Sequence, residues 1–260
     1  MSLELEKTIN KAISTFEVEK GIKNFWEQPL VAAINANHPL IPGLKHSVSP
    51  DHLLPDELLS GAKSVVVFFI PFTNSIIESN IKGEAASREW ALAYVVTNSL
   101  LGFINDELEK FLESHGFQTA KIMATHNFDE KTLISRWSHR HLAWIAGLGS
   151  FGLNNMLITS KGCCGRLGSL VTDADCEELG VPSVAELQKE RCLNKINGSC
   201  GLCQKICPAG AYEEKGKFNR WKCHEVCLKN AELHKELGVA DVCGKCLVGL
   251  PCSKNPLYYT

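Results

Sequence analysis

The residues best placed to do chemistry are cysteines, and they are gathered at one end. The 260-residue chain has 12, none before Cys163, and nine fall between Cys192 and Cys252. The strongest pattern is Cys200-x-x-Cys203-x-x-x-Cys207-Pro208. Thiolates at that spacing can wrap an iron–sulfur cubane, and a proline follows the last ligand of bacterial two-cluster runs. In those runs the cysteine before the proline serves the other cluster, so a second cluster is expected. Cys243-x-x-Cys246 and Cys252 can supply it, with Cys223 lying 16 residues after Cys207. A full run would begin with a cysteine three residues before Cys200. Asn197 stands there and cannot replace a thiolate, which makes Cys192 the nearest substitute, across a loop containing Gly198.

The motifs therefore cross. One [4Fe–4S] cluster is assigned Cys192, Cys200, Cys203 and Cys252, and the other Cys207, Cys223, Cys243 and Cys246. Cys227 is left over and is the rival of Cys223. A structural zinc site would need only four of the nine thiolates and gives no reason for the Cys-Pro pair. Cys163, Cys164 and Cys176 precede this module and are read as buried free cysteines, a common fate for the residue.

A second pattern, Gly147-Leu-Gly149-Ser-Phe-Gly152, matches G-x-G-x-x-G. The dinucleotide fingerprint must follow a strand and open a helix, whereas this segment follows a helical stretch ending at Ala146 and leads into an expected strand. Its glycines still allow backbone amides to approach a neighbouring group closely. On the preceding helix, His139 is expected on a solvated face. Arg140 and His141 are candidates for cofactor contact.

These residues need a scaffold. Leu5, Ile9, Ala12, Ile13 and Phe16 recur at helical spacing within Leu3 to Ile22. Pro39 to Pro55 is rich in Pro, His and Ser and reads as an irregular loop. Ser64 to Ile70 (SVVVFFI), stopped by Pro71, is a β-branched and aromatic run suited to a buried strand. A long helix is expected from about Ala85 to His115, a strand at Thr119 to Met123, and a helix from about Ser135 to Ala146. Met156 to Thr159 and Gly168 to Thr172 read as further strands. Helices and strands alternate to about residue 175, which implies an α/β or α+β fold. Asp173 to Glu190 reads as a connection with one short helix. The expected division is an α/β domain over 1–180 and a cysteine module over 181–260.

The formal net charge is −2, but residues 189–260 carry 12 Lys and Arg against seven Asp and Glu. Two dianionic clusters would largely cancel that surplus, so nucleic-acid binding through it is not the expectation. No apolar run approaches the roughly 20 residues that span a membrane, and residues 1–20 lack a signal-peptide core. The expectation is a cytoplasmic protein without a membrane partner. Twelve cysteines in a reducing compartment point to metal or redox chemistry rather than disulfides.

The segment from Trp137 to Asp173 resembles the epoxyqueuosine reductases and the related reductive dehalogenases. Ala146-Gly147-Leu148-Gly149, Phe151, Gly152, Asn154, the apolar strand to Ile158, Gly168 and Leu170-Val171-Thr172-Asp173 carry the resemblance. It continues through the cysteine module to Pro208 and more loosely to Cys252. It implies a nitroreductase-like α/β domain fused to a ferredoxin-like module with two [4Fe–4S] clusters. It also implies a corrinoid between them, contacted by Arg140, His141, Gly147, Leu148, Gly149, Ser150, Phe151, Gly152 and Asn154. The glycines alone suit a flavin equally well. A ferredoxin or flavodoxin would be the electron donor. The chain departs from the pattern where Leu133 stands for an expected aspartate proton donor, with Asp129 and Glu130 merely nearby, and where Leu153 stands for a lysine. An extension that helps the queuosine enzymes engage tRNA is expected to be absent. The function expected is an iron–sulfur oxidoreductase delivering electrons to a cofactor or substrate near Gly147 to Asn154. The alternatives are a pure electron carrier and a tRNA-modifying enzyme.

Overall fold

The structure is a computed structural model and describes residues 2–176, 189–213 and 217–254. Its centre is the run expected to be a buried strand. β2 (Ser64–Pro71) is buried at every position, each large side chain contributing roughly 1.5–3 kcal/mol on leaving water. It pairs antiparallel with β1 (Leu30–Asn35) and with β8 (Gly165–Thr172), and β3 (Thr119–Lys121) completes a sheet of order β1-β2-β8-β3.

Alternate side chains of β2 enter two different cores. Val66, Phe68 and Ile70 pack with α1 (Ser2–Lys20), α4 (Asn74–Ser79) and α5 (Arg88–Ser114). Val65 and Val67 pack against α6 (His139–Ile145) and the segment around Ile41 and Leu44. A strand with both faces covered must be apolar throughout, which is why no alternation shows in the sequence. Along α5, Trp90, Ala93, Thr97, Leu101, Ile104, Leu108 and Leu112 are buried at three- and four-residue spacing. Ser87 caps this helix by accepting from Trp90 N at 3.1 Å, and Gly116, at φ +83°, ends it. The five apolar positions expected to form the face of α1 are all buried.

Several boundaries differ from the sequence reading. Pro39 to Pro55 is not wholly irregular, since α2 (Leu44–Ser47) lies within it and α3 (Pro55–Leu58) starts at its end. The helix expected from Ser135 begins at His139 instead. Ser135 belongs to β5 (Ile134–Ser135), which pairs with β4 (Phe128–Asp129), and its hydroxyl both accepts from Trp137 N and donates to Trp137 O. Such local side-chain bonds compete with helix formation. β1 lacked a distinctive signal, being the short Ala-containing run LVAAIN. The short helix expected between Asp173 and Glu190, and the boundary at 180/181, fall on residues outside those described.

β6 (Gly149–Phe151) and β7 (Leu157–Thr159) form a small hairpin after α6. The cysteine-rich segment then contributes α7 (Leu193–Asn197), α8 (Leu202–Lys205) and α9 (Arg220–Leu233).

Candidate cysteine sites and the adjoining cavity

Cys192 stands at the N-cap of α7, where its backbone N–H donates to Glu190 Oε1 at 3.0 Å. Gly198, at φ +73°, turns the chain after α7, and Asn194 Nδ2 donates to Cys200 O. That turn supplies the loop expected between Cys192 and Cys200. Cys203 lies on α8, and burial pushes its thiol up to about 11, with Cys252, Cys192 and Cys200 adding to the effect. These four cysteines line one small cavity of about 20 Å³ with Gly152, Leu153 and Asn154.

A second group gathers around Cys246. Burial pushes this thiol up to about 12, and Cys223, Cys243 and Cys207 contribute. Gly244 has φ +72° and opens a 3₁₀ turn over Lys245–Leu247, and the two cysteines of Cys243-Gly-Lys-Cys246 line the same cavity. A Cβ on Gly244 would lie 2.4 Å from the Trp90 ring. Cys223 and Cys227 sit one turn apart on α9, and the Cys227 thiol holds Cys223 down at about 7 while its own proton is held more tightly. Tyr212 Oη is buried, has no aligned hydrogen-bond partner and lies against the Cys246 sulfur. Among the described residues no three His, Cys, Asp or Glu side chains converge on a single metal ion. A zinc ion would need sulfurs within about 2.3 Å of one point, whereas a cubane holds its ligand sulfurs further apart at the corners of a cage.

The second group forms one wall of a cavity of about 410 Å³, within the range of about 300–1,000 Å³ usual for small-molecule sites. Phe69 and Arg166 of the central sheet, Trp90 and Tyr94 of α5, and Trp137 before α6 form other parts of the lining. Trp137 Nε1 donates to Ser169 Oγ at 3.0 Å, which fixes the ring. The Arg166 guanidinium stacks 4.3 Å from the Tyr94 ring centroid. Tyr94 Oη donates to Asp241 Oδ1 at 2.9 Å, and burial pushes its hydroxyl up to about 12. His126 Nε2 lies 3.1 Å from Asp241 Oδ2.

The helix before the glycine segment is less solvated than expected. His139 is buried: its Nδ1 is 2.8 Å from Ser169 Oγ, and burial lowers it to about 4. The reason is that α6 packs directly on the sheet. Arg140 lines the large cavity and donates from Nη1 to Asn155 O at 2.6 Å. His141 is half-buried, with Nδ1 2.7 Å from Ser138 Oγ and its ring 4.7 Å from that of Phe151. Burial, then the nearby Arg140 charge, lowers it to about 4. It does not line the cavity.

The glycine segment lies on the cysteine side of the molecule. Gly147, Leu148, Gly149, Ser150, Phe151, Gly152 and Asn154 are absent from the lining of the large cavity. Gly147, at φ +73°, ends α6. A Cβ on Gly149 would meet Ile158 O at 2.2 Å, so its missing side chain serves the β6–β7 hairpin. Ser150 Oγ donates to Glu190 Oε1 at 3.1 Å and accepts from Arg191 N at 2.9 Å, while Phe151 O accepts from Lys195 Nζ at 2.5 Å. Asn154 Nδ2 donates to Cys246 O at 3.0 Å.

Asp129 caps the β4–β5 turn, accepting from Lys131 N, Thr132 N and Thr132 Oγ1 at 2.8–3.0 Å. Neither it, Glu130 nor Leu133 lines the cavity. Sequence reading missed Tyr94, Arg166, Asp241 and His126. Asp241, two residues before Cys243, was the one with a local cue.

The site is thus a cysteine-rich segment closing one end of an aromatic cavity in a mixed α/β fold. That fold is shared with the epoxyqueuosine reductases. A selenomethionine-labelled epoxyqueuosine reductase aligns over 95% of this chain and 66% of its own length, at 19% identity and a TM-score of 0.55. An epoxyqueuosine reductase with an epoxyqueuosine-modified tRNA-Tyr stem loop aligns over 86% of this chain and 57% of its own, at 20% identity and 0.52. The Bacillus subtilis enzyme, in a structure with its catalytic aspartate loop swung out of the active site, aligns over 95% and 64%, at 18% identity and 0.51. The chain therefore spans about three fifths to two thirds of their lengths. Identities this low speak for a shared fold. No family model and no curated protein matches the sequence.

Proposed function

We propose that this chain is an iron–sulfur oxidoreductase whose redox partner, a cofactor or substrate, occupies the 410 Å³ cavity. The observation that carries the reading is that Cys207, Cys223, Cys243 and Cys246 all line that cavity. When bound, two [4Fe–4S] clusters would supply one-electron transfer toward it. The donor set fits them. Eight thiols lie in two groups of four, and the stranded Tyr212 hydroxyl would find its missing acceptor in a Cys246 thiolate. Cys192, Cys200, Cys203 and Cys252 would hold the first cluster and Cys207, Cys223, Cys243 and Cys246 the second. Cys223 is preferred to Cys227 because Cys223, Cys243 and Cys207 are the cysteines acting on Cys246.

On this reading residues 1–180 form a nitroreductase-like domain and 181–260 a ferredoxin-like module served by a ferredoxin or flavodoxin. The chain's own groups shape the cavity. Trp90, Trp137 and Phe69 exclude water and offer flat faces, and Tyr94 Oη keeps its proton toward Asp241. These flat walls suit a conjugated ring, corrinoid or flavin. A whole cobalamin would extend beyond an enclosed space of this size.

Anaerobically purified protein should contain about eight iron and eight sulfide per chain, as two cubanes require. Stoichiometric zinc with negligible iron would sink the reading. Hydroxocobalamin and flavin titrated into the cluster-replete protein identify the ring, with micromolar affinity, roughly −8 kcal/mol, expected for the correct one. If neither binds and no substrate is reduced, the chain is an electron carrier. A tRNA-modifying enzyme is the second reading, favoured by the tRNA-bound neighbour. Steeply salt-dependent binding of a tRNA stem loop would support it.

A further inference from the structure

Arg140 and Arg166 both line the large cavity, and among the described residues neither forms an ion pair with a carboxylate. Arg220 and Arg166 both repel the Arg140 guanidinium. Arg166 is half-buried, and burial lowers its guanidinium from its ordinary value against the opposing pull of Tyr94 and Asp241, while Arg140 lines the cavity with an exposed side chain. A cation partly withdrawn from water without a carboxylate of its own is costly. Among the described residues one carboxylate lines the cavity, Asp241, which lies within electrostatic reach of Arg166 but already accepts from Tyr94 and faces His126.

A further donor also stands idle in the lining of this cavity, where the Trp90 indole N–H is buried without a partner.

We infer that the cavity binds a planar organic anion, its carboxylate or phosphate held by Arg166 and Arg140 and its flat body lying against Trp90 and Trp137. Guanidinium groups match both anions through paired N–H donors, and the aromatic walls select a flat body over a compact inorganic ion. The inference deepens the proposed function by naming the ligand class of the same cavity. Two sources share this chemistry: a substrate carboxylate and the phosphate of a nucleotide-type cofactor.

Equilibrium binding to cluster-replete protein under anaerobic conditions tests it without requiring any electron to move, so failure of the redox reading would leave the result intact. Calorimetry would compare benzoate with benzamide, and FMN with riboflavin. At least one anion should bind about tenfold or more tightly than its neutral counterpart, since a charged hydrogen bond supplies that much, and the preference should shrink with salt. Preference in the benzoate pair alone identifies a carboxylate substrate; preference in the FMN pair alone identifies a phosphate-bearing cofactor. Arg166→Gln should erase the preference and Arg166→Lys should keep part of it. Iron content would verify that each variant holds its clusters. The comparison in the unmutated protein decides the matter even where a variant does not fold. Equal affinity for anions and neutral counterparts, or no binding of any anionic probe, overturns the inference. So does an Arg166→Gln variant that shifts the cluster potentials while leaving anion affinity unchanged, because the arginines would then be counter-charges to the clusters.

Discussion

At the scale of single residues, the choice between Cys223 and Cys227 shows what spacing can and cannot decide. Both lie on α9 four residues apart, so both project from one helical face, and both line the large cavity. Spacing from Cys207 is equally compatible with either. Both interact with Cys243, but only Cys223 is also among the groups acting on Cys246, while Cys227 bonds to Cys223, which favours Cys223 as the proposed ligand. Cys223→Ser should therefore remove about half of the iron and sulfide, while Cys227→Ser retains both clusters. Metal analysis of the two anaerobically purified variants checks this, and the reverse pattern would reassign the ligand. His139 teaches the complementary lesson. Nothing in HRH marks which side chain turns inward, because that depends on where α6 meets β8, a contact 30 residues away in sequence.

At the scale of elements, long apolar patterns were legible and short ones were not. α5 and β2 each carry enough periodic or continuous apolar sequence to declare themselves. The start of α6 was hidden because Ser135 and Ser138 form local hydrogen bonds that no hydrophobic pattern reports. The glycine segment was legible as a place of close approach, but its partner was not. Gly149 abuts the backbone of Ile158 and Thr159, and Ser150 and Phe151 grip the segment bearing Cys192. Gly149→Ala should thus destabilise the hairpin by about 1–3 kcal/mol, the usual cost of overpacking, and loosen the first cysteine group with it. Gly102→Ala is the matched control. Its added Cβ meets nothing within 4 Å, and mid-helix alanine should stabilise α5 by roughly 0.5–1 kcal/mol. Thermal or denaturant unfolding of the two variants should give opposite signs, and equal destabilisation would show that Gly149 is not specially constrained.

At the scale of the whole molecule, the cysteine-rich segment is joined to the loop that leads into α5 by polar side chains that a sequence cannot pair. Asn80 Nδ2 donates to Cys243 O at 2.9 Å, Asn230 Nδ2 donates to Val242 O and its Oδ1 accepts from Ala86 N, and Lys245 Nζ donates to Asn80 O and Lys82 O. Lys245 is 4% exposed and burial lowers its ammonium from the ordinary value, so its two carbonyl partners are essential to it. Apart from the Asn230–Val242 bond, these contacts span more than 140 residues of sequence. They hold the second cysteine group against the start of α5, whereas Cys192 caps α7, Cys203 lies on α8 and Cys200 lies between these helices of five and four residues. Short helices have little stability of their own, and metal binding is coupled to folding where ligands are otherwise weakly held. Removing iron with a chelator should therefore act unevenly. Amide hydrogen exchange should accelerate most over residues 189–206, less over α9 and the Cys243–Cys246 turn, and least in β2 and β8, which are buried at the centre of the sheet. Uniform acceleration along the chain would mean that the central sheet depends on the clusters as much as the cysteine segment does.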